Sequence, residues 1–106
     1  MAKYLFEVSY TLDGIKGVKA KGGSARLAAS EAAAKSLGGN IDAYYFAFGG
    51  TDVYVIADFP DEIAAASLAL TVAAAGGARV KTVVLLTPEE IDRAAEKSVT
   101  YSPPGS

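Results

Sequence analysis

Between Ala43 and Phe59 two apolar, aromatic-rich runs are separated only by Gly49, Gly50, Thr51 and Asp52, and a connection that short forces the runs to pair antiparallel. In the first run Tyr44, Phe46 and Phe48 alternate with Tyr45; in the second Tyr54 and Ile56 alternate with Val53, Val55 and Phe59. Large apolar groups thus fall on both faces of the hairpin. A sheet that is apolar on both sides needs cover on both.

The remaining elements follow from local signals. Lys3 to Tyr10 alternates Tyr4, Phe6, Val8 and Tyr10 against Leu5, Glu7 and Ser9, the period of a strand. Leu12 to Gly23 holds four glycines and several lysines and reads as a loop with a short helical turn around Ile15 and Val18. Ser24 opens a helix whose apolar positions Ala25, Ala28, Ala29, Ala32, Ala33 and Leu37 follow i, i+3, i+4 spacing, with Glu31 and Lys35 on the wet side and Gly38-Gly39 as the stop. After the hairpin, Pro60, Asp61 and Glu62 start a second helix, apolar almost all round from Ile63 to Ala75 apart from Ser67 and Thr71. Gly76-Gly77 ends it, and Val80 to Leu86 forms a fourth strand. Thr87, Pro88 and Glu90 spell a capping box for a third helix reaching about Lys97. The expected organisation is one domain over 1-97 with a Pro-rich tail over 98-106.

Strand, helix, strand, strand, helix, strand, then an added helix is the α+β, ferredoxin-like βαββαβ pattern: an antiparallel sheet with two helices on one face. Two helices shield one side only. The apolar residues of the other side therefore predict a second copy packed sheet against sheet, a dimeric α+β barrel, with the Ala-rich second helix covered by the third helix or by another subunit.

Composition removes several kinds of chemistry. At 106 residues the chain is long enough to bury a core without staples, and it contains neither Cys nor His. Thiol catalysis, Ser-His-Asp hydrolysis and Cys- or His-ligated metal sites are excluded, and no cofactor is expected. Ten basic against twelve acidic side chains give a charge of −2, with no long-range attraction for nucleic acid. The start lacks the basic head and apolar run of a leader, and Ile63 to Ala75 is well short of the ~20 residues a bilayer span needs. The expectation is a cytoplasmic protein without nucleic-acid or membrane partners.

Lys3-Tyr4-Leu5-Phe6, Gly22-Gly23-Ser24-Ala25-Arg26, Leu37-Gly38-Gly39, the hairpin from Tyr44 to Ile56, Lys81-Thr82 and Thr87-Pro88-Glu89-Glu90 together resemble the GYD-domain proteins, small bacterial and archaeal domains of the dimeric α+β barrel group. The likeness covers nearly the whole chain. Gly49 and Asp52 match the Gly, Tyr, Asp signature of the family, while Thr51 stands where its Tyr is expected. The resemblance implies the fold and self-association, and no particular reaction.

Three groups of residues are candidates for a site. Asp52, beside Tyr44 and Tyr54, is placed to act as a base or to hold a cation at a barrel mouth, or else bonds the amides of its own turn. Lys16, Lys19, Lys21 and Arg26 form the densest run of cations without an intervening acid; with Gly22, Gly23 and Ser24 at a helix start, Lys21, Ser24 and Arg26 can hold an anion or make a solvated basic face. Tyr4, Tyr10, Tyr44, Tyr45 and Tyr54 are core aromatics, or some of them line one cavity. The leading expectation is a homodimer or higher homo-oligomer binding a small aromatic or anionic molecule in the barrel or at a subunit interface, through Asp52, Tyr54, Tyr44 and Tyr10. The alternatives are a cofactor-independent monooxygenase- or isomerase-like enzyme and a purely structural assembly unit.

Overall fold

The computed structural model describes residues 1–105. Its elements run β1 (Ala2–Tyr10), α1 (Leu12–Lys21), α2 (Gly23–Ser36), β2 (Asn40–Phe46), β3 (Val53–Phe59), α3 (Glu62–Ala75), β4 (Ala78–Leu85) and α4 (Pro88–Ala95). The sheet is antiparallel throughout in the order β2-β3-β1-β4, which is the ferredoxin-like arrangement expected from the order of elements.

Alternation decides which face each strand residue occupies. Tyr4, Phe6, Val53, Val55, Ala57 and Phe59 are buried beneath the helices, joined by Ala34 of α2 and Ala65 of α3. Phe59, fully buried, meets Phe6 edge-on with ring centres 5.8 Å apart, and burying a side chain of this size contributes about 2–3 kcal/mol. Gly39 lets the α2–β2 connection pass directly against the end of β3. A Cβ there would lie 2.4 Å from the Asp58 carbonyl oxygen and 2.6 Å from the Phe59 ring, so no larger residue fits without a shift.

The opposite face of the sheet carries no helix of this chain. Register places Ala43, Ile56, Leu5 and Val83 in one row across all four strands. Tyr45, Tyr54, Glu7 and Lys81 form the next row, and Asp58, Lys3 and Leu85 lie on the other side. The apolar band foreseen on this face is therefore one row wide, with charge on both flanks. Asp42 occupies a bulge between Ile41 and Ala43, which brings its carboxylate to Lys3 alongside Asp58. These contacts hold the Lys3 pKa above its ordinary value, Asp42 contributing most, and hold the Asp42 carboxyl below its own.

Four expectations need correction. Leu12 to Lys21 is a regular helix, not a loop: Thr11 caps it by accepting from the Gly14 amide at 3.3 Å, and Lys19 and Lys21 complement the dipole in its last turn. Phe48 lies outside β2 and is fully exposed, because the Ala47 amide bonds the Asp52 carbonyl at 2.8 Å and closes the turn before Phe48 can join the ladder. The inner face of α2 is Arg26, Ser30, Ala33, Ala34 and Leu37, while Ala25, Ala28 and Ala32 point to solvent. The cap of α3 is Asp61, whose carboxylate accepts from the Ala64 amide at 2.9 Å, with Pro60 outside the helix. The Thr87–Glu90 capping box of α4 forms as read. Helix α4 does not cover α3, whose Ile63 and Leu70 remain exposed.

Candidate functional site

Helices α2 and α3 lie on the same face of the sheet with small residues along the seam between them, chiefly Ala29, Ala33 and Ala69. Alanines cannot fill that seam. A cavity of about 120 Å³ remains, floored by Phe6, Val8, Val55 and Val80 and walled by Leu68 and Val72 of α3.

One end of this apolar cavity is polar. Arg26 and Ser30 stand one turn apart on α2 and reach it together with Tyr10 from the end of β1 and Tyr44 from β2. Ser30 Oγ donates to the Tyr44 hydroxyl at 3.4 Å. The Tyr44 ring is set by an edge-on contact with Phe46, 5.7 Å between centres. Burial first, and then the neighbouring Tyr44 hydroxyl, push the Tyr10 pKa up to about 12, against the opposing pull of the Arg26 guanidinium. Arg26 Nε is buried and has no hydrogen-bond partner among the described residues.

A second, more open hollow of about 350 Å³ shares Tyr10, Arg26, Val72 and Ala78 with the first and leads outward beneath α1, past Gly17 and Val18 to Lys21. Gly14 makes this wall possible. A Cβ on it would lie 1.9 Å from the Gly77 carbonyl oxygen, so only glycine lets α1 cross so close to the α3–β4 turn. The arrangement is a narrow apolar slot with a cation and two phenols at its mouth; the outer hollow adds Lys21 and, opposing it, Asp13, so the inner mouth, which no acidic residue lines, is the part suited to a negatively charged head on a small apolar body.

The candidate residues divide between these places. Tyr10, Tyr44 and Arg26 converge at the inner mouth, and Lys21 joins Tyr10 and Arg26 around the outer hollow. Ser24 is exposed and lines neither. Tyr54 lies on the helix-free face beside Tyr45, so it shares no cavity with Tyr10 or Tyr44. Asp52 is engaged by the backbone: its Oδ2 accepts from the Tyr10 amide at 2.8 Å, its own amide donates to the Val8 carbonyl and its carbonyl accepts from Ala47. It pins the hairpin turn to β1: the carboxylate serves a backbone amide, but that of Tyr10 and not one of its own turn. Thr51 donates to Glu7 at 3.5 Å across the same turn. Ser30 went unnoticed in the sequence. The available signal was its i, i+4 relation to Arg26 and Ala34 on a helix otherwise made largely of alanine.

Among the described residues no group of three or more acidic side chains converges as a metal-ligand set, and no helix is long and apolar enough to cross a membrane. No curated protein and no solved structure gives a significant match to the chain. The family model of the GYD domain matches residues 4–95. With the ferredoxin-like sheet in place, that match over most of the sequence makes this chain a member of the GYD-domain family.

Proposed function

We propose that this chain is a self-associating binding module whose helix–sheet groove holds a small apolar molecule carrying an anionic head. The observation that supports the reading is Arg26 lining the mouth of an apolar cavity, with a buried Nε that has no partner among the described residues. A buried donor without an acceptor costs about 1–3 kcal/mol, and a carboxylate placed against the guanidinium removes that cost while gaining a charge-assisted hydrogen bond. The Tyr10 hydroxyl, at the same mouth, adds a further donor. At about 120 Å³ the cavity is somewhat smaller than the ~150 Å³ engineered apolar void that admits benzene, so it takes a short acyl chain, or a single ring whose head end stays toward the outer hollow. Self-association is supported by the row Ala43, Ile56, Leu5 and Val83, which an isologous partner would cover. The cysteine-free sequence supports a reducing, cytoplasmic setting.

Calorimetric titration with phenylacetate and with phenylacetamide tests the site. The acid is expected to bind at least about tenfold more tightly than the amide, and Arg26→Met to abolish that preference. Equal binding of the two, or an unchanged preference in the variant, refutes the reading. Native mass spectrometry of freshly purified protein reads subunit number and any retained molecule. Leu5→Lys, a charge at the centre of the open face, is expected to give monomers.

A further inference from the structure

The open end of the groove lies beside α1, and α1 presents an exposed surface that nothing in its own chain covers. Leu12 and Ile15, three residues apart, form an apolar ridge that is 68% and 43% exposed, with Lys16 and Lys19 along its edge. A matching surface exists on α4. Ile91, 51% exposed, shares one side of that helix with Ala94 and Ala95, and Asp92 and Glu96 run along its edge.

Helix α4 has every sign of lacking its partner. From Leu86 to Gly105 every residue except Glu90 is exposed, and the radius of gyration is 16.8 Å where a compact chain of this length gives ~13 Å. Eight residues are too few for a helix to persist on propensity in water, even with a capping box, so its apolar side requires a docking surface. Its own α1 begins at the wrong end of the sheet. Helix α1 follows Tyr10, whereas α4 follows Leu85, which pairs with Lys3, so about seven strand residues, ~23 Å, separate their starts.

We propose that α4 of one copy docks on α1 of a second copy, apolar ridge to apolar stripe and Lys16 and Lys19 to Asp92 and Glu96. Complementary surfaces at opposite ends of one chain meet twice in a two-fold dimer, each copy giving one helix and receiving the other. Two sheets packed face to face with strands running in opposite senses bring the Leu85 end of one over the Tyr10 end of the other. The received helix then lies beside the hollow bounded by Gly17 and Lys21, so that the mouth of the groove is completed by the second copy. The inference rests on the self-association proposed above, and not on the ligand.

Because the full chain contains no cysteine, single substitutions report the contact cleanly. Mixed Ile15→Cys and Ile91→Cys chains, mildly oxidised, are expected to give a covalent dimer linking positions 15 and 91 in at least tenfold excess over 15–15 and 91–91 products. Charge reversal tests it independently. Lys16→Glu with Lys19→Glu, or Asp92→Lys with Glu96→Lys, is expected to weaken association about tenfold at low salt, while mixing the two variants restores it because both contacts of the mixed dimer are again complementary. A dimer that shows neither the 15–91 link nor any response to charge reversal overturns this inference and leaves the self-association standing. A monomeric unmodified chain overturns both. Rescue only when both reversals sit in the same chain also overturns it, because the contact then lies within one copy.

Discussion

Replacing Arg26 by Met is expected to stabilise the ligand-free protein. The unpartnered Nε is the reason: a buried donor left without an acceptor costs about 1–3 kcal/mol. Arg26 is only half-buried, so the lower end of that range applies. Methionine keeps the apolar stem that Arg26 lays along α2 and fills part of the 120 Å³ cavity. The gain is therefore about 1 kcal/mol, which in a domain of this size moves Tm up by ~4–8 °C. Thermal melts followed by circular dichroism, paired with urea titrations, measure it, and an unchanged m-value confirms that the folded state is intact. An arginine serving the fold behaves in the opposite way, since its removal leaves buried partners unsatisfied. A fall in Tm of similar size would therefore refute the assignment of Arg26 to a ligand.

Asp52→Ala is expected to cost about 1 kcal/mol, through loss of its bond to the Tyr10 amide, and to leave phenylacetate affinity unchanged; a loss of binding with stability intact would return Asp52 to the site. The two glycines of α1 should respond in opposite directions. Gly17→Ala meets open space and is expected to stabilise by up to about 1 kcal/mol through helix propensity, whereas Gly14→Ala, driven against the Gly77 carbonyl, should cost about 1–3 kcal/mol in chemical denaturation. Stability should fall at both extremes of pH. Lys3, raised above 10.5 by Asp42 and Asp58, and Tyr10, raised from 10.0 to about 12 mainly by burial, bind their protons more tightly in the folded state, so their contributions are whole below those unfolded values and are lost as pH rises through the folded ones. Asp42, lowered from 3.8 by Lys3, and Glu90, lowered from 4.5 by the Thr87 amide, contribute above those values and lose their contribution as pH falls through the lowered ones. Urea midpoints that rise between pH 10 and 12 would contradict the alkaline half of this account.

Local signals gave correct readings at several places. The alternation in β1 and β3, the Gly38-Gly39 stop and the Thr87–Glu90 box each depend on residues a few positions apart, and each appears where it was expected. The two glycines of α1 argue against a helix in the sequence, and the reason for Gly14 is the Gly77 carbonyl, 63 residues further along the chain. The candidate site was legible as residue types and not as a place. Tyr10, Tyr44 and Arg26 were singled out, but the pattern put the first two with Tyr54 and Asp52 and the third with Ser24.

The sequence by itself determined the order of the strands and of α2, α3 and α4, the antiparallel hairpin, the α4 cap and an aromatic side of the sheet, because alternation and capping are short-range and leave a periodic trace. Only the tertiary structure decided which side of α2 faces inward. Alanine on nearly every side gives a helix no preferred face, so the packing of α2 and α3 over the sheet alone turned Arg26 and Ser30 toward Tyr10 and Tyr44 and left the alanine-lined space between the helices open.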